Sequence, residues 1–246
     1  MIKEALQYIV GLSEAKVQDI ELPDGTVQTY SDKQLVRLSK HIPYAEPLEM
    51  NNLSSLIDYI KSNIDKMSDK MIIQVVSPVS VKLFSQLDEE RNREVLAIVT
   101  LQSPKFNYGS FIEHEEFCIN VQSKFIKDDL TDREALLKFA GTVEAGTVAE
   151  YGDDGVTQKA TVKTGIASKG DALAPNPVRL KPFRTFTEVE QPISDFIFRV
   201  KQDKYDGITC ALFEADGGAW KNEAMTFIKL YLEEQLKGLE QFTVIS

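Results

Sequence analysis

Histidine and cysteine are scarce in this chain: His41, His114, Cys118 and Cys210 are the only ones in 246 residues. Two cysteines exclude a disulfide framework and make a reducing compartment, the cytosol, the expected location. A zinc site normally takes three or four ligands, and His114 and Cys118, four apart on a predicted helix, are too few, so no metal is expected. Basic charge is also short, with 28 Lys and Arg against 38 Asp and Glu, a net −10. That balance excludes broad, sequence-independent binding to a nucleic-acid backbone, which needs a basic face. No apolar run approaches the roughly 20 residues of a membrane span. The opening MIKEALQYIVGLSEAK is too briefly apolar, and too acidic, for a secretory signal. The phosphate loops Gly-x4-Gly-Lys-Ser/Thr and Gly-x-Gly-x-x-Gly are missing, as is the nucleophile turn Gly-x-Ser-x-Gly. Cys210, inside the apolar run ITCALF, reads as packing. On these grounds no catalytic residue and no cofactor is assigned.

What is present is an alternation of helix and strand patterns, in a chain whose 43% apolar and 27% charged residues are ordinary for a globular protein. Ile2 to Ser13 predicts a short amphipathic helix with Ala5, Ile9 and Leu12 on one face. Pro23-Asp24-Gly25 is a turn between two strand-like runs. The next stretch, to Met50, reads as irregular. Asn52 caps a helix running to about Ile64 on an apolar face of Leu53, Leu56, Ile57, Ile60 and Ile64. Met71 to Val76, almost continuously apolar, predicts a strand buried on both faces. Val79–Phe84 and part of Val95–Leu101 alternate. Ser110 opens a helix over Phe111–Phe125. Thr131-Asp132-Arg133-Glu134 reads as a capping box whose helix stops at Gly141. Gly146–Tyr151 and Val156–Thr164 flank a hairpin loop, and 167–177 reads as a flexible loop. Strands are expected over Arg179–Val189, Asp195–Lys201 and Ile208–Glu214. A last helix opens at Trp220 or Asn222 with Met225, Ile228, Leu232, Leu236 and Leu239 in a stripe. The expected architecture is α+β: a mixed, mostly antiparallel sheet flanked by helices, ending in an amphipathic helix. It is read as a single domain over 1–246, with a possible division into subregions 1–105 and 106–246.

Three blocks carry a family likeness: Glu134–Gly141 (EALLKFAG), Asp153–Gln158 (DDGVTQ), and Pro177–Phe186 (PVRLKPFRTF) leading to FIFR and CALFEADGGAWK. They resemble the YfdQ-like family of phage and prophage proteins, over the C-terminal half mainly, with weaker echoes near Met71–Phe84 and Arg91–Ala97. The resemblance implies a phage or prophage origin and a place inside a bacterium. The family has no established activity, so it implies no catalytic residue or ligand.

The run from Val178 to Lys221 holds the strongest chemical signal. Arg179, Lys181, Phe183, Arg184 and Phe186 lie in one segment, Arg199 in a second, and the single tryptophan, Trp220, follows an acidic Gly-Gly turn. On a strand, Arg179, Lys181 and Phe183 share one face. Cations beside aromatic rings stack a base and neutralise a phosphate. The plainer reading is a solvated strand face with its arginines paired to Glu188, Glu190 or Asp195. Gly217-Gly218, between a strand and a helix, is either a tight turn or an anion-binding junction, and Glu214 and Asp216 beside it weigh against the anion. The acids Asp153, Asp154, Glu214 and Asp216 form a metal or general-base cluster if they converge, and two separate turns if they do not.

Three functions follow. The first is a non-catalytic phage protein binding a small anionic, nucleotide-like host molecule, with Arg179, Lys181, Arg184 or Arg199 converging on a pocket at the interface of a homo-oligomer. The second is an assembly or protein-interaction factor using Trp220 and the last helix. The third is an acid-cluster hydrolase of nucleotides or nucleic acid.

Overall fold

The computed structural model describes residues 2–13, 16–22, 25, 27–31, 44–67, 69–88, 90–102, 104–145, 147–153, 158–164, 168–173, 176–203 and 207–246. It divides into two compact units, Met1–Ala45 and Glu46–Ser246. The first holds helix α1 (Ile2–Ser13) and the hairpin β1 (Val17–Glu21) and β2 (Val27–Ser31), paired antiparallel from Val17↔Ser31 to Glu21↔Val27. Gly25, at φ 84°, donates its N–H to the Leu22 carbonyl, closing the expected turn with a backbone shape that glycine adopts without strain.

The second unit runs β3 (Leu48–Met50), α2 (Leu53–Ser62), β4 (Met71–Ser77), β5 (Ser80–Ser85), β6 (Val95–Thr100), β7 (Ile112–Glu113), α3 (His114–Lys124), α4 (Arg133–Ala145), β8 (Thr147–Asp153), β9 (Gln158–Thr164), β10 (Ser168–Leu173), β11 (Val178–Leu180), β12 (Ser194–Asp203), β13 (Gly207–Glu214), α5 (Trp220–Gln235) and β14 (Phe242–Ile245). The fold is α+β with mostly antiparallel pairing and a C-terminal helix, as the pattern predicts, though the strands sort into several sheets rather than one. A five-stranded sheet has the order β14-β4-β5-β6-β3, with its two edge strands parallel to their neighbours. A four-stranded antiparallel sheet has the order β11-β12-β13-β7, and β8, β9 and β10 form an antiparallel meander.

Two apolar clusters form the interior of this unit. The first joins Ile73, Val75, Val81, Leu83, Ala97 and Val99 of the five-stranded sheet to Leu53, Leu56 and Ile60 of α2, to Ile228 and Leu232 of α5 and to Leu236, which caps α5. The period of two along β4–β6 meets the 3.6 period of the helices, so each buries one face against the other. The second cluster sets Phe117 and Val121 of α3 and Leu136 and Phe139 of α4 against Val178, Leu180, Phe196, Phe198 and Leu212. Each fully buried valine, leucine, isoleucine or phenylalanine among them contributes about 1.5–3 kcal/mol of transfer free energy.

Several expectations change. β4 is fully buried on one face only, and Val76 is exposed, because it pairs laterally with β14 and β5 while helices cover one side. Phe111–Phe125 is not one helix: Ile112–Glu113 pair with β13, and Glu113 then caps α3, its carboxylate accepting from the N–H groups of Glu115 and Glu116. The box at Thr131 and Glu134 does not form. The Thr131 hydroxyl donates to the Asp128 carbonyl, and Glu134 pairs with Arg133 and Lys127. α4 passes through Gly141 to Ala145, where nothing forces a left-handed stop. Ser168–Leu173, expected as loop, pairs along β9. β3 and β14 were not foreseen, being short segments that pair only at sheet edges. Asn52 caps α2 as expected, accepting from the Ser55 N–H at 2.8 Å, but Asn63 at φ 46° ends the helix early and leaves Ile64 exposed beyond it, off the expected apolar face.

Candidate functional site

Of the expected strand Arg179–Val189 only Arg179 and Leu180 pair with β12, together with Val178 before them; beyond Leu180 the backbone leaves the sheet. Proline explains part of this. Pro182 has no N–H to give, and the chain meets residues 124–126 instead, through Ile126 N–H to the Lys181 carbonyl and Phe183 N–H to the Lys124 carbonyl. The segment then runs between the two apolar clusters. Leu180 belongs to one and Phe186 to the other. The Thr185 hydroxyl reaches the Pro78 carbonyl at 2.6 Å. The Gln191 side-chain oxygen accepts from the backbone N–H of Arg184 and Thr185, while its amide donates to the carbonyls of Thr185 and Phe186. Of seven buried polar residues among those described, five lie between Lys181 and Ser194, which marks this crossing as a specified polar seam.

Arg184 is its centre. The side chain is 8% exposed. Its guanidinium carbon lies 4.0 Å from the centroid of the Trp220 ring and 5.7 Å from that of Phe196. Nη1 donates to Glu214 Oε1 at 3.1 Å, and Nη2 donates to Ser194 Oγ and lies 3.9 Å from Asp216 Oδ2. Nε is buried without a hydrogen-bond partner. Glu214 Oε1 also accepts from the Trp220 indole N–H at 3.1 Å, so carboxylate, guanidinium and indole close a triangle. Asp216 accepts from Ser194 Oγ at 2.6 Å and from Gly218 N–H at 2.9 Å. Burial works to raise the Asp216 carboxyl, but these hydrogen bonds and the Arg184 charge hold it below the usual carboxylate range. Burial pulls the Arg184 guanidinium down from its ordinary value. Burial raises the Tyr108 hydroxyl, against the pull of the nearby Arg184 charge.

A cleft of about 260 Å³ opens on this cluster. Its walls are the rings of Phe106, Tyr108, Phe183 and Trp220, with Val79, Pro104 and Pro182, and its cations are Lys105, Lys124 and Arg184. Among the described residues no carboxylate lines it, in a chain of net charge −10. Tyr108 stacks on Phe196 at 5.4 Å and 15°, and Phe106 packs edge-on to Phe125, which fixes both walls from behind. Lys124 is tethered by its ammonium to the Lys105 carbonyl at 2.6 Å. Three positive groups and four ring systems form a surface able to stack a flat ring and neutralise an attached anion.

The chain matches no protein-family model, no curated protein and no solved structure.

Of the residues singled out by sequence, Phe183, Arg184 and Trp220 meet at the cleft. The others do not join them. Lys181 is buried in an ion-paired triad with Asp128 at 3.0 Å and Glu190 at 3.1 Å. Burial opposes the charge of Lys181, but those two partners raise its ammonium overall. Phe186 is wholly buried in the first apolar cluster. Arg179 pairs with Asp195 and lines a separate hollow of about 380 Å³ that also holds Asp216. Arg199 alternates with Phe198 and Val200, so it lies on the β12 face opposite the core, where Nη1 donates to the Phe198 carbonyl. Lys105, Phe106, Tyr108 and Lys124 were missed. The run PKFNYG (Pro104–Gly109) has the same basic-aromatic composition as PFR and was the available signal.

The other candidates resolve differently. Glu214 and Asp216 converge on Arg184 and not on a cation site, and no group of three or more metal-ligating residues occurs among the described residues. Asp154 lies outside the described residues, as do the side chain of Asp153 and His41. Gly217 and Gly218, at φ 63° and 83°, make the tight turn, and Asp216 takes up the Gly218 N–H. Cys118 Sγ lies 3.6 Å from His114 Nε2, and burial pushes the Cys210 thiol up to about 12.

Proposed function

We propose that the protein is a non-catalytic binding protein that holds a small, nucleotide-type anion in the Trp220 cleft. In line with the family likeness of its C-terminal half, it is a phage or prophage product working in the bacterial cytoplasm, where it sequesters a host signal, as a homo-oligomer. The observation that carries this reading is the cleft lining: four aromatic rings and three cations, without a carboxylate among the described residues. Small-molecule sites usually span roughly 300–1,000 Å³. A cleft of about 260 Å³ therefore suits one stacked base with its phosphate at the rim, and not a longer oligonucleotide. Glu214 and Asp216 are engaged by Arg184, Trp220, Ser194 and Gly218, which favours holding over bond breaking. Two cysteines outside any disulfide suit a reducing compartment.

Native mass spectrometry of the protein recovered from bacterial lysate tests the reading. A stoichiometric phosphorylated small molecule that is lost in a Lys105→Glu, Lys124→Glu double variant supports it. A ligand consumed on adding divalent metal, or retained unchanged by the double variant, overturns it.

A second reading, a protein-interaction factor, is favoured by α1, where Ile2, Leu6, Tyr8, Ile9, Val10 and Leu12 are all exposed. Deleting residues 1–13 abolishes partner recruitment on that reading and leaves ligand binding intact on the first.

A further inference from the structure

Arg184 is surrounded by more negative charge than it needs. One buried guanidinium faces two carboxylates, Glu214 Oε1 at 3.1 Å and Asp216 Oδ2 at 3.9 Å, yet its Nε remains without a partner. The two acids are held very differently. The Asp216 side chain is 15% exposed and is fixed by Ser194 and Gly218 as well as by Arg184. Glu214 is 37% exposed and has two holds, Arg184 Nη1 and the Trp220 indole N–H. Both of those donor residues line the cleft. Glu214 is thus the carboxylate that swings into water at low cost, and the groups it would release are the ones that face an arriving ligand.

We infer that Glu214 is a built-in competitor for the anion site: its carboxylate neutralises Arg184 until the phosphate of a ligand displaces it and takes over the guanidinium and indole donors. This deepens the binding reading above and rests on it. The chemistry required of the ligand is a compact tetrahedral or planar oxyanion attached to a flat ring, a phosphate monoester of a nucleoside being the simplest. An uncharged nucleoside lacks the displacing group, and free phosphate lacks the ring that stacks on Tyr108, Phe183 or Trp220. No bond is made or broken. Displacement moves the indole N–H from one acceptor to another, so the single tryptophan reports it directly.

The test is a set of titrations of the full chain with adenosine 5′-monophosphate, adenosine and inorganic phosphate, followed by Trp220 fluorescence and by calorimetry. Wild type, Glu214→Gln and Glu233→Gln are compared. Gln at 214 keeps an oxygen for the indole and guanidinium but removes the competing charge. Glu233, exposed and one turn from Lys229, controls for net charge. Removing one like charge a few ångströms from a half-exposed site strengthens anion binding by about ten- to a hundredfold. The expected result is a gain of that size for the monophosphate in Glu214→Gln, with adenosine unaffected and Glu233→Gln like wild type. Equal or weaker monophosphate binding by a folded Glu214→Gln overturns the inference while leaving the binding reading in place. A gain for free phosphate that equals the gain for the monophosphate, with no preference for the ring-bearing ligand, keeps the competitor and overturns the nucleotide reading. No response to either anion in wild type and Glu214→Gln overturns both.

Discussion

Replacing Arg184 by methionine tests whether the polar seam is held by this one side chain. Methionine keeps most of the aliphatic volume, so the loss is electrostatic and not a cavity. A hydrogen bond to a charged group is worth about 1.5–3 kcal/mol, and the stack on Trp220 about 1–2 kcal/mol when desolvated. The two do not add in full. Arg184 gave up its hydration to be buried, and that cost is recovered in the variant. Glu214 turns to water, while Asp216 keeps its bonds from Ser194 and Gly218. A net loss of about 2–3 kcal/mol remains, below the 3–5 kcal/mol of a fully buried broken pair. At about 2–4 °C per kcal/mol for a unit of this size, the melting temperature falls by about 4–12 °C. Urea unfolding read in parallel by Trp220 emission and far-ultraviolet circular dichroism measures it. The emission of the folded variant also shifts, because the ring has lost its stacked cation. A loss below about 1 kcal/mol, or unchanged native emission, refutes the argument. Arg184→Lys sharpens it, since lysine keeps the charge but neither stacks as a plane nor forks to two acceptors. A lysine variant as stable as wild type means that charge alone matters.

Three further outcomes follow from the same structure. Glu188→Ala destabilises the protein by about 1–2 kcal/mol in a urea titration, because Glu188 Oε1 accepts from Leu53 N–H at 2.7 Å and Ser54 N–H at 3.1 Å and so caps α2 from a distant segment. The Asp216 carboxyl sits below its ordinary unfolded value of about 3.9, so its contribution to stability is full above about pH 4 and drains away as pH falls through the depressed folded value; in Asp216→Asn, melting temperature against pH loses that part of its acid limb. A thiol reagent at neutral pH modifies half-buried Cys118 in the native protein and reaches Cys210 only on unfolding, which mass spectrometry of the labelled chain checks.

Regular elements were legible wherever local pattern and tertiary burial agree. The α2 face and its Asn52 cap, the alternation in β5 and β6, and the Ile228–Leu232–Leu236 stripe of α5 all sit in one apolar cluster, so each follows from its own period. Elements whose reason lies elsewhere in the chain were not legible. β14 exists because β4 offers it a parallel edge, and Glu113 is a cap because Ile112 pairs with Cys210. The site divides in the same way. Phe183, Arg184 and Trp220 stood out by type, but a strand read through Pro182 gave the wrong faces. Lys181 was therefore expected on one face with Arg179 and Phe183, as a ligand contact, and the fold instead turns it inward onto Asp128 and Glu190. Period-two reasoning has no purchase on a segment that leaves its sheet after three residues.

That departure is also what makes a site possible here. A strand continuing past Leu180 would bring its N–H and C=O groups into a ladder and leave none to organise a crossing. By leaving the sheet, residues 181–193 carry Phe186 into the first cluster while Leu180 remains in the second, and their backbone groups need other partners. Gln191 supplies several at once, and Thr185 anchors the turn at Pro78. The segment is then irregular in shape yet fixed at both ends by apolar packing, which is the condition under which a cation can be held stacked between rings without drifting to solvent. Lysine in place of Arg184 would satisfy charge balance with Glu214 and Asp216 equally well. The guanidinium lies over the Trp220 ring with its two terminal nitrogens bound to Glu214 and Ser194, a planar forked arrangement that an ammonium does not reproduce.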